Sequence, residues 1–381
     1  MLPCVSVHGF HVAIAGTGLA GLSAAYELAH AGAAVTLLDA RSYAGGRVQT
    51  VREFAAQQHG ELGGEFIDGD QKEIIDLCRQ FDLPLVRILR SGFTHRFRDA
   101  TGTYHVSRTA PWEALRDCLS PLTRRYKLAR GDSSSEAIGE MATNDRLVDA
   151  LRRGAGGRLL LGHVIRAVAN ALDRVLVTVT DPSGLTQQVE ADYLVMTLPA
   201  STLRHVDIQP ALADDQRHAI ERLAYGRATK VLLQSSMNVF GDRHARAFAT
   251  DDCVGAFWDG SEEQRDAASI ISFLAGGSAS GCLRDKAAAG GQSLLSDLCW
   301  LGIDRAPVTA VHIGDWTADP WVRGGYAFLD PGFDPAWRSL LSRRVGRIVF
   351  AGEHTSERWQ GYMNGAIESG QRAARELIAN P

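Results

Sequence analysis

Val12-Ala13-Ile14-Ala15-Gly16-Thr17-Gly18-Leu19-Ala20-Gly21 is the stretch from which the fold can be read. The four apolar residues before Gly16 predict a short strand buried on both faces. A helix is predicted over residues 23–30, with Leu22, Ala25, Tyr26 and Ala29 on one face and Gly32 as its stop. Val35-Thr36-Leu37-Leu38 is a second buried strand, and Asp39 ends it. Together they make one β-α-β unit. Gly16 permits a tight turn, Gly18 lets a pyrophosphate approach the backbone, and Gly21 lets helix and strand pack closely. Leu19 and Ala20 lie in the turn before the predicted helix and are expected to contact the cofactor, with the helix N-terminus supplying N–H groups and a dipole that favour an anion. Asp39 follows where a carboxylate can bind ribose hydroxyls. Strand, glycines, helix and acid in this order predict a dinucleotide site.

A nicotinamide-type domain would now repeat helix and strand. The chain runs instead through Gly45-Gly46-Arg47 and Glu61-Leu62-Gly63-Gly64-Glu65-Phe66 to a helix predicted over 71–81. A hairpin is predicted over 95–105, turning near Asp99-Ala100-Thr101-Gly102. Residues 112–153 read mainly as helix, broken at Pro121 and at the polar loop Gly131-Asp132-Ser133-Ser134-Ser135. Strand patterns return at 175–180, 193–197, 231–233, 270–273 and 347–351, and a last helix is predicted over 365–377. The glycine-rich stretch 276–281 reads as a loop. Dinucleotide-type segments therefore stand at the start, middle and end. The predicted class is α/β plus α+β. A Rossmann-like cofactor domain of residues 1–90, 150–228 and 316–381 is interleaved with a smaller mixed-sheet and helical substrate domain, 91–149 and 229–315. The active site is expected where the two meet.

Composition narrows the chemistry. The 381 residues exceed one ordinary domain, and 45% apolar content is enough for a sizeable core. A net charge of −4 argues against a nucleic-acid partner or an acidic membrane surface. No apolar run reaches the length of a membrane span. Cys4, Cys78, Cys118, Cys253, Cys282 and Cys299 show neither C-x-x-C pairing nor metal-ligand spacing with histidine. They read as free thiols in a reducing cytoplasm, with no metal site expected. No Ser-His-Asp order or paired-carboxylate spacing stands out.

Leu38-Asp39-Ala40-Arg41, followed by Gly45-Gly46-Arg47, resembles the flavin amine oxidase superfamily, which includes monoamine oxidases, polyamine oxidases and L-amino-acid oxidases. The resemblance implies FAD as cofactor, with Arg47 near its phosphates. Glu61-Leu62-Gly63-Gly64-Glu65-Phe66 is similar to the family's next flavin-contacting segment. Val164 is similar to the valine whose backbone touches adenine, and Thr197-Leu198-Pro199 to the strand that closes the FAD domain. Ala351-Gly352-Glu353-His354-Thr355 and Gly361-Tyr362-Met363-Asn364-Gly365-Ala366-Ile367 resemble the family's closing strand, turn and helix. There Glu353 would bind the ribityl chain. The turn from Gly361 through Tyr362 and Met363 to Ala366 would set N–H groups against the flavin pyrimidine, stabilising negative charge on the ring. The resemblance is weak over residues 93–144 and 239–309.

The same resemblance makes Lys230 the first catalytic candidate. The family lysine holds a water at flavin N5, and a cation there favours charge on O2. Read on residue type alone, Lys230 also suits a strand edge blunted against aggregation. Tyr362 resembles one wall of the family's aromatic cage, which attracts an amine. Tyr326 stands where monoamine oxidases carry the cysteine bonded to FAD, and Ala327 where they carry the second cage tyrosine. Non-covalent FAD and a half-open cage are therefore implied. Trp359 or Trp321 would fill the gap, or would simply pack in a core. An α-carboxylate would need an arginine, for which Arg96, Arg98 and Arg323 are candidates.

The implied activity is oxidation of a C–N bond in a small-molecule amine or amino acid. Hydride passes to flavin N5, the imine is hydrolysed to a carbonyl, and O2 is reduced to hydrogen peroxide. A desaturase or dehydrogenase of the same fold, or a non-catalytic flavin-binding partner subunit, stays open. Residues 93–144 are few for a substrate segment, which implies an open site or a pocket completed by a second subunit in a homodimer.

Overall fold

The computed structural model describes residues 7–88, 93–98, 101–108, 125–128, 144–241, 247–250, 252–262, 264 and 268–381. They divide into two compact units: Met1–Arg47, Leu147–Tyr225 and Asp319–Pro381 in the first, Val48–Arg146 and Gly226–Ala318 in the second.

Short apolar strands organise the first unit. His11–Ala15 pairs in parallel with Ala34–Leu38 on one side and Tyr193–Met196 on the other. Arg158–Leu160 and Ile348–Phe350 extend the sheet to five strands. The order runs 3-2-1-4-5 along the chain, reversing between His11–Ala15 and Tyr193–Met196. Ligands of such sheets bind beyond the carboxyl ends of the strands at that reversal. Gly16 and Thr197 follow the two strands there, and Thr197 Oγ1 donates to Ala15 O at 2.7 Å. The first helix starts at Leu19, ahead of residue 23, because Gly18 already takes the extended capping conformation. It lies so close to Met363–Ala379 that a Cβ on Gly370 would stand 2.2 Å from Ala20 O. A second sheet carries Thr186–Ala191, Val175–Thr180, Val164–Asn170 and Asp207–Gln209. Val175, Val177 and Val179 alternate inward from it onto Leu194, Met196 and Ile348.

In the second unit, strand register decides which side chains share a face. Ala228–Ser235 lies between Val308–Asp315 and Ser269–Gly276, which excludes the strand-edge reading of Lys230. Ser269–Gly276 pairs in turn with Ala256–Asp259, aligning Leu232 and Trp258 with Ser272, and Lys230 with Leu274. With the two-residue period of a strand, Lys230, Leu232 and Trp258 share one face. Val231, Leu233, Phe257 and Phe273 fill the other, packed with Leu283, Leu294 and Leu295 of the helices Ala279–Ala288 and Gly291–Ser296. The Lys230 face is covered by Val51, Phe54 and Leu62, which pack on Leu232 and Ile270. That apolar contact groups residues 48–90, read from sequence with the cofactor domain, with the second unit.

Other expectations change. The expected free thiols are corrected at Cys253 and Cys282, which form a disulfide with Cα atoms 5.6 Å apart. The turn between Ala247–Thr250 and Ala256–Asp259 meets the helix Ala279–Ala288 there, a tertiary contact that linear spacing does not encode. The cysteine argument for a reducing cytoplasm falls with it. Cys78 and Cys299 are free, and Cys4 and Cys118 lie outside the described residues. The helix expected through 112–153 is interrupted by a strand, Arg125–Leu128, paired with Ile67–Asp68 and Leu85–Arg87. Its described helical part is Asn144–Ala155, while Pro121 and the loop 131–135 lie outside the described residues. The loop expected over 276–281 already turns into helix at Ala279. The hairpin stands, as Phe93–Arg98 against Tyr104–Arg108. Among the described residues no helix is long and apolar enough to cross a membrane, and no side-chain cluster could hold a metal ion.

Phe257 is fully buried and stacks on Phe248 at 4.9 Å. Phe257→Ala should cost about 3–5 kcal/mol through the lost contacts and the cavity. Chemical denaturation reads this directly; a loss under about 1 kcal/mol, typical of a surface change, would contradict the packing.

Candidate active site

The glycine-rich turn leaves no room for a side chain at Gly16 or Gly21. A Cβ on Gly21 would stand 1.9 Å from Gly16 O, and Gly16 itself sits at φ +103°. Gly45 N donates to Thr17 O at 2.9 Å, placing Gly46 over Gly18. Asp39 Oδ2 accepts from Thr17 N and Thr17 Oγ1, both at 2.7 Å, and Oδ1 accepts from Arg41 N at 2.9 Å. The buried carboxylate therefore fastens the turn to the end of the second strand. Three bonds leave part of its acceptor capacity for a ribose hydroxyl. Arg41 donates to Asp319 at 2.6 Å and to Tyr43 Oη at 3.1 Å, so its charge is already paired. Ala40 is half-buried between these two, and half-buried Val164 opens its strand opposite Thr180.

Glu353 joins three segments of the same unit. Its Oε1 accepts from Arg47 Nη1 at 2.9 Å and from Ala327 N at 3.3 Å, and its Oε2 accepts from Gly361 N at 2.8 Å. Arg47 also donates to Gly325 O at 2.9 Å. Burial works against the Arg47 charge, but Glu353 prevails and holds its pKa up. Burial, and then Glu353, push the Tyr225 phenol up. Buried His354, next to Gly352, is brought down to about 4, first by burial and then by the charges of Arg47 and Arg372, against the pull of Glu353.

The expected cage is corrected at Ala327. Its side chain is 3% exposed in the hydrophobic core, and its backbone pairs with Tyr225, so it lines no opening. The neighbouring aromatic is Tyr326, half exposed, whose ring lies where a Cβ on Gly361 would meet it at 3.4 Å. Tyr362 is likewise half exposed, and the Trp359 ring stands edge-on to it at 5.9 Å. Trp321 is half-buried, and its backbone N–H donates to Asp319 Oδ1 at 2.8 Å.

The closing helix begins at Met363, directly after extended Tyr362, and Ala366 N donates back to Tyr362 O. Just before it, Trp359 Nε1 and Gln360 Nε2 are buried donors with no acceptor among the described residues. Orphaned buried donors are costly in isolation. A ring system rich in carbonyl and nitrogen acceptors meets that need, and the glycine turn at a helix N-terminus suits a pyrophosphate. The residues present thus fit FAD.

The second unit holds the other candidates. Lys230 Nζ donates to Glu65 Oε2 at 2.6 Å and to Gly63 O at 3.2 Å, with both charged side chains 4% exposed. Trp258 Nε1 donates to both Glu65 oxygens, at 3.1 and 3.2 Å, and its ring lies 5.1 Å from Lys230 Nζ and 5.2 Å from the Phe66 ring. Asn144 Nδ2 donates to Gly64 O and Glu65 O, fixing this backbone, while Asn144 N donates to Glu61. Trp258 and Asn144 are absent from the sequence-based site, where Glu61 stands only as the first residue of the flavin-contacting segment. A tryptophan in a strand reads as packing, and nothing local links Asn144 to residues 80 positions earlier.

Two buried groups should slope stability in opposite senses. Burial lifts Glu61 to about 7, against its bonds from Asn144 and Thr50 and with help from Glu65. The folded chain then binds more protons than the unfolded one, so this contribution is lost as pH rises from the ordinary glutamate range to about 7. His354, depressed to about 4, does the reverse: its contribution is lost as pH falls from the ordinary histidine range to about 4. Glu61→Gln should therefore leave the acid side little changed and raise stability above pH 7 by up to roughly 3 kcal/mol. Melting temperatures from pH 4 to 8 check this; parallel curves for variant and wild type would refute it.

The family model for flavin containing amine oxidoreductase matches residues 19–141 and 137–378. Amine oxidase [flavin-containing] A of Equus caballus is 21% identical, aligned over 97% of this chain and 85% of that protein. An L-amino-acid oxidase of Bothrops atrox is 24% identical over 96% and 88%. Cyclohexylamine oxidase from Brevibacterium oxydans has the same fold, with a TM-score of 0.80 at 18% identity, over 97% of this chain and 98% of that one. A putrescine oxidase solved with bound putrescine gives 0.78 at 18% identity, over 97% and 99%. With the glycine turn, the closing turn and the buried lysine already in place, the family match is decisive: this chain belongs to the flavin-containing amine oxidoreductases and is an FAD-dependent oxidoreductase.

Proposed function

We propose that the chain is an oxidase of simple amines, in preference to α-amino acids. The relatives include both kinds, so the family alone does not choose. One observation carries the choice. The buried lysine and arginine among the described residues are already met by carboxylates, Lys230 by Glu65 and Arg41 by Asp319. Of the arginines considered for an α-carboxylate, Arg96 pairs with Asp252 and stacks on Trp300, and exposed Arg323 donates to His205. The Arg98 side chain lies outside the description. A substrate carboxylate would have to compete for a cation already paired, which costs several kcal/mol where water is excluded.

The reaction starts from a neutral amine, whose nitrogen lone pair supports the cation developing at carbon. FAD, when bound, would supply the acceptor for the hydride equivalent and the route by which two electrons, with two protons, reach O2 to give hydrogen peroxide. Water hydrolyses the imine product to a carbonyl. The chain supplies position and field. The Gly16–Gly21 turn, through the N–H groups of Leu19 and Ala20, takes the pyrophosphate. Tyr362, Tyr326 and Trp359 present ring faces and edges that attract an amine. We assign Lys230 to the oxygen step, where a fixed positive charge favours electron transfer to O2.

Anaerobic mixing of the holoprotein with primary amines, diamines and L-amino acids tests this. Amines should bleach the flavin and L-amino acids should not, and on admission of air each bleached equivalent should yield one of peroxide. Bleaching by amino acids alone would reverse the substrate class. Reduction by amines without peroxide on reoxidation would reassign the enzyme to a dehydrogenase.

A further inference from the structure

We propose that Glu65 is a positioning residue for Lys230, held in place by Trp258; the inference rests on the assignment of Lys230 to the oxygen step. An ammonium has three donors. Two are spent inside the protein, on Glu65 Oε2 and Gly63 O, which leaves a single N–H with a defined direction. Glu65 is in turn immobilised at both oxygens by one indole N–H, and its backbone is held by Asn144. The Trp258 ring that makes this bond also lies 5.1 Å from the ammonium and is backed by Phe66.

Register brings the group together. Lys230 and Trp258 come from strands separated by Ser269–Gly276 and share its one face. Glu65 comes from the segment that covers that face. A buried ion pair is a poor source of stability, since apolar residues of similar volume serve as well or better. Its value lies in fixing where the positive charge sits. The pair has no net charge, so the field it exerts is that of an oriented dipole whose positive end is the remaining Lys230 N–H.

The test needs no substrate. Holoprotein is photoreduced without oxygen and mixed with O2, and the midpoint potential of the bound flavin is measured for wild type, Lys230→Met, Glu65→Gln, Glu65→Asp and Trp258→Phe. Lys230→Met should slow reoxidation about 100-fold, as loss of one preorganised charge does. Glu65→Gln should slow it roughly 10-fold and Trp258→Phe a few-fold, as loss of an outer-shell partner does, with Glu65→Asp recovering most of the loss. Removing the positive group should lower the potential and removing the negative one should raise it. A Glu65→Gln rate within about twofold of wild type, beside a slow Lys230→Met, would overturn the role of Glu65 and spare that of Lys230. Wild-type rates in Lys230→Met would overturn both. If Glu65→Gln does not fold, Trp258→Phe decides, because it keeps the ion pair and loosens only its orientation; an unchanged rate and potential there would also overturn the proposal.

Discussion

A buried ammonium has to be met by an anion, and much of the second unit can be understood from that constraint. Lys230 lies inside a strand whose eight residues are all buried, with a further strand on either side. Its charge is tolerable only because Glu65 arrives from the covering segment. That segment is held down by Val51, Phe54 and Leu62 on the sheet, by the Trp316 indole on Leu62 O, and by Asn144 on Gly64 and Glu65. Weakening any of these anchors would loosen the carboxylate before it reached the lysine.

The first unit uses a carboxylate differently. Glu353 meets one guanidinium, but it also takes backbone N–H groups from Ala327 and Gly361. A backbone donor survives any side-chain substitution, so Glu353 secures the geometry of its turns more than their composition. This explains why Ala327 can be a core residue and still belong to the site: its N–H matters there, and its methyl group does not. The aromatic character shifts to Tyr326 and Tyr362, on either side of Gly361.

Much of the first unit was legible in the chain because its signals are local. The glycine turn, the apolar strands and the acid at residue 39 lie within one β-α-β unit, and their roles follow from sterics and the helix dipole. The closing turn was legible for the same reason, in residues 351–367. Less was legible where a role depends on distant partners. Asp39 and Arg41 were read as ligand-binding residues, but each first has a partner within the fold, and Ala327 was read as facing an opening. The Cys253–Cys282 bond and the strand Arg125–Leu128 were hidden because pairing across a sheet or onto a helix leaves no mark in linear spacing.

The sequence by itself determined the strand, glycine turn and helix of a dinucleotide-binding unit, that the class is α/β with a second mixed unit, and that a lysine precedes an apolar strand. Steric exclusion and periodicity are properties of neighbours along the chain, so they can be read there. Only the tertiary structure decided that Lys230 is paired with Glu65 and that Trp258 fixes the pair. Those contacts span 165 and 193 residues, and they exist because antiparallel register puts Lys230 and Trp258 on one face of the sheet while a separate segment is folded over it.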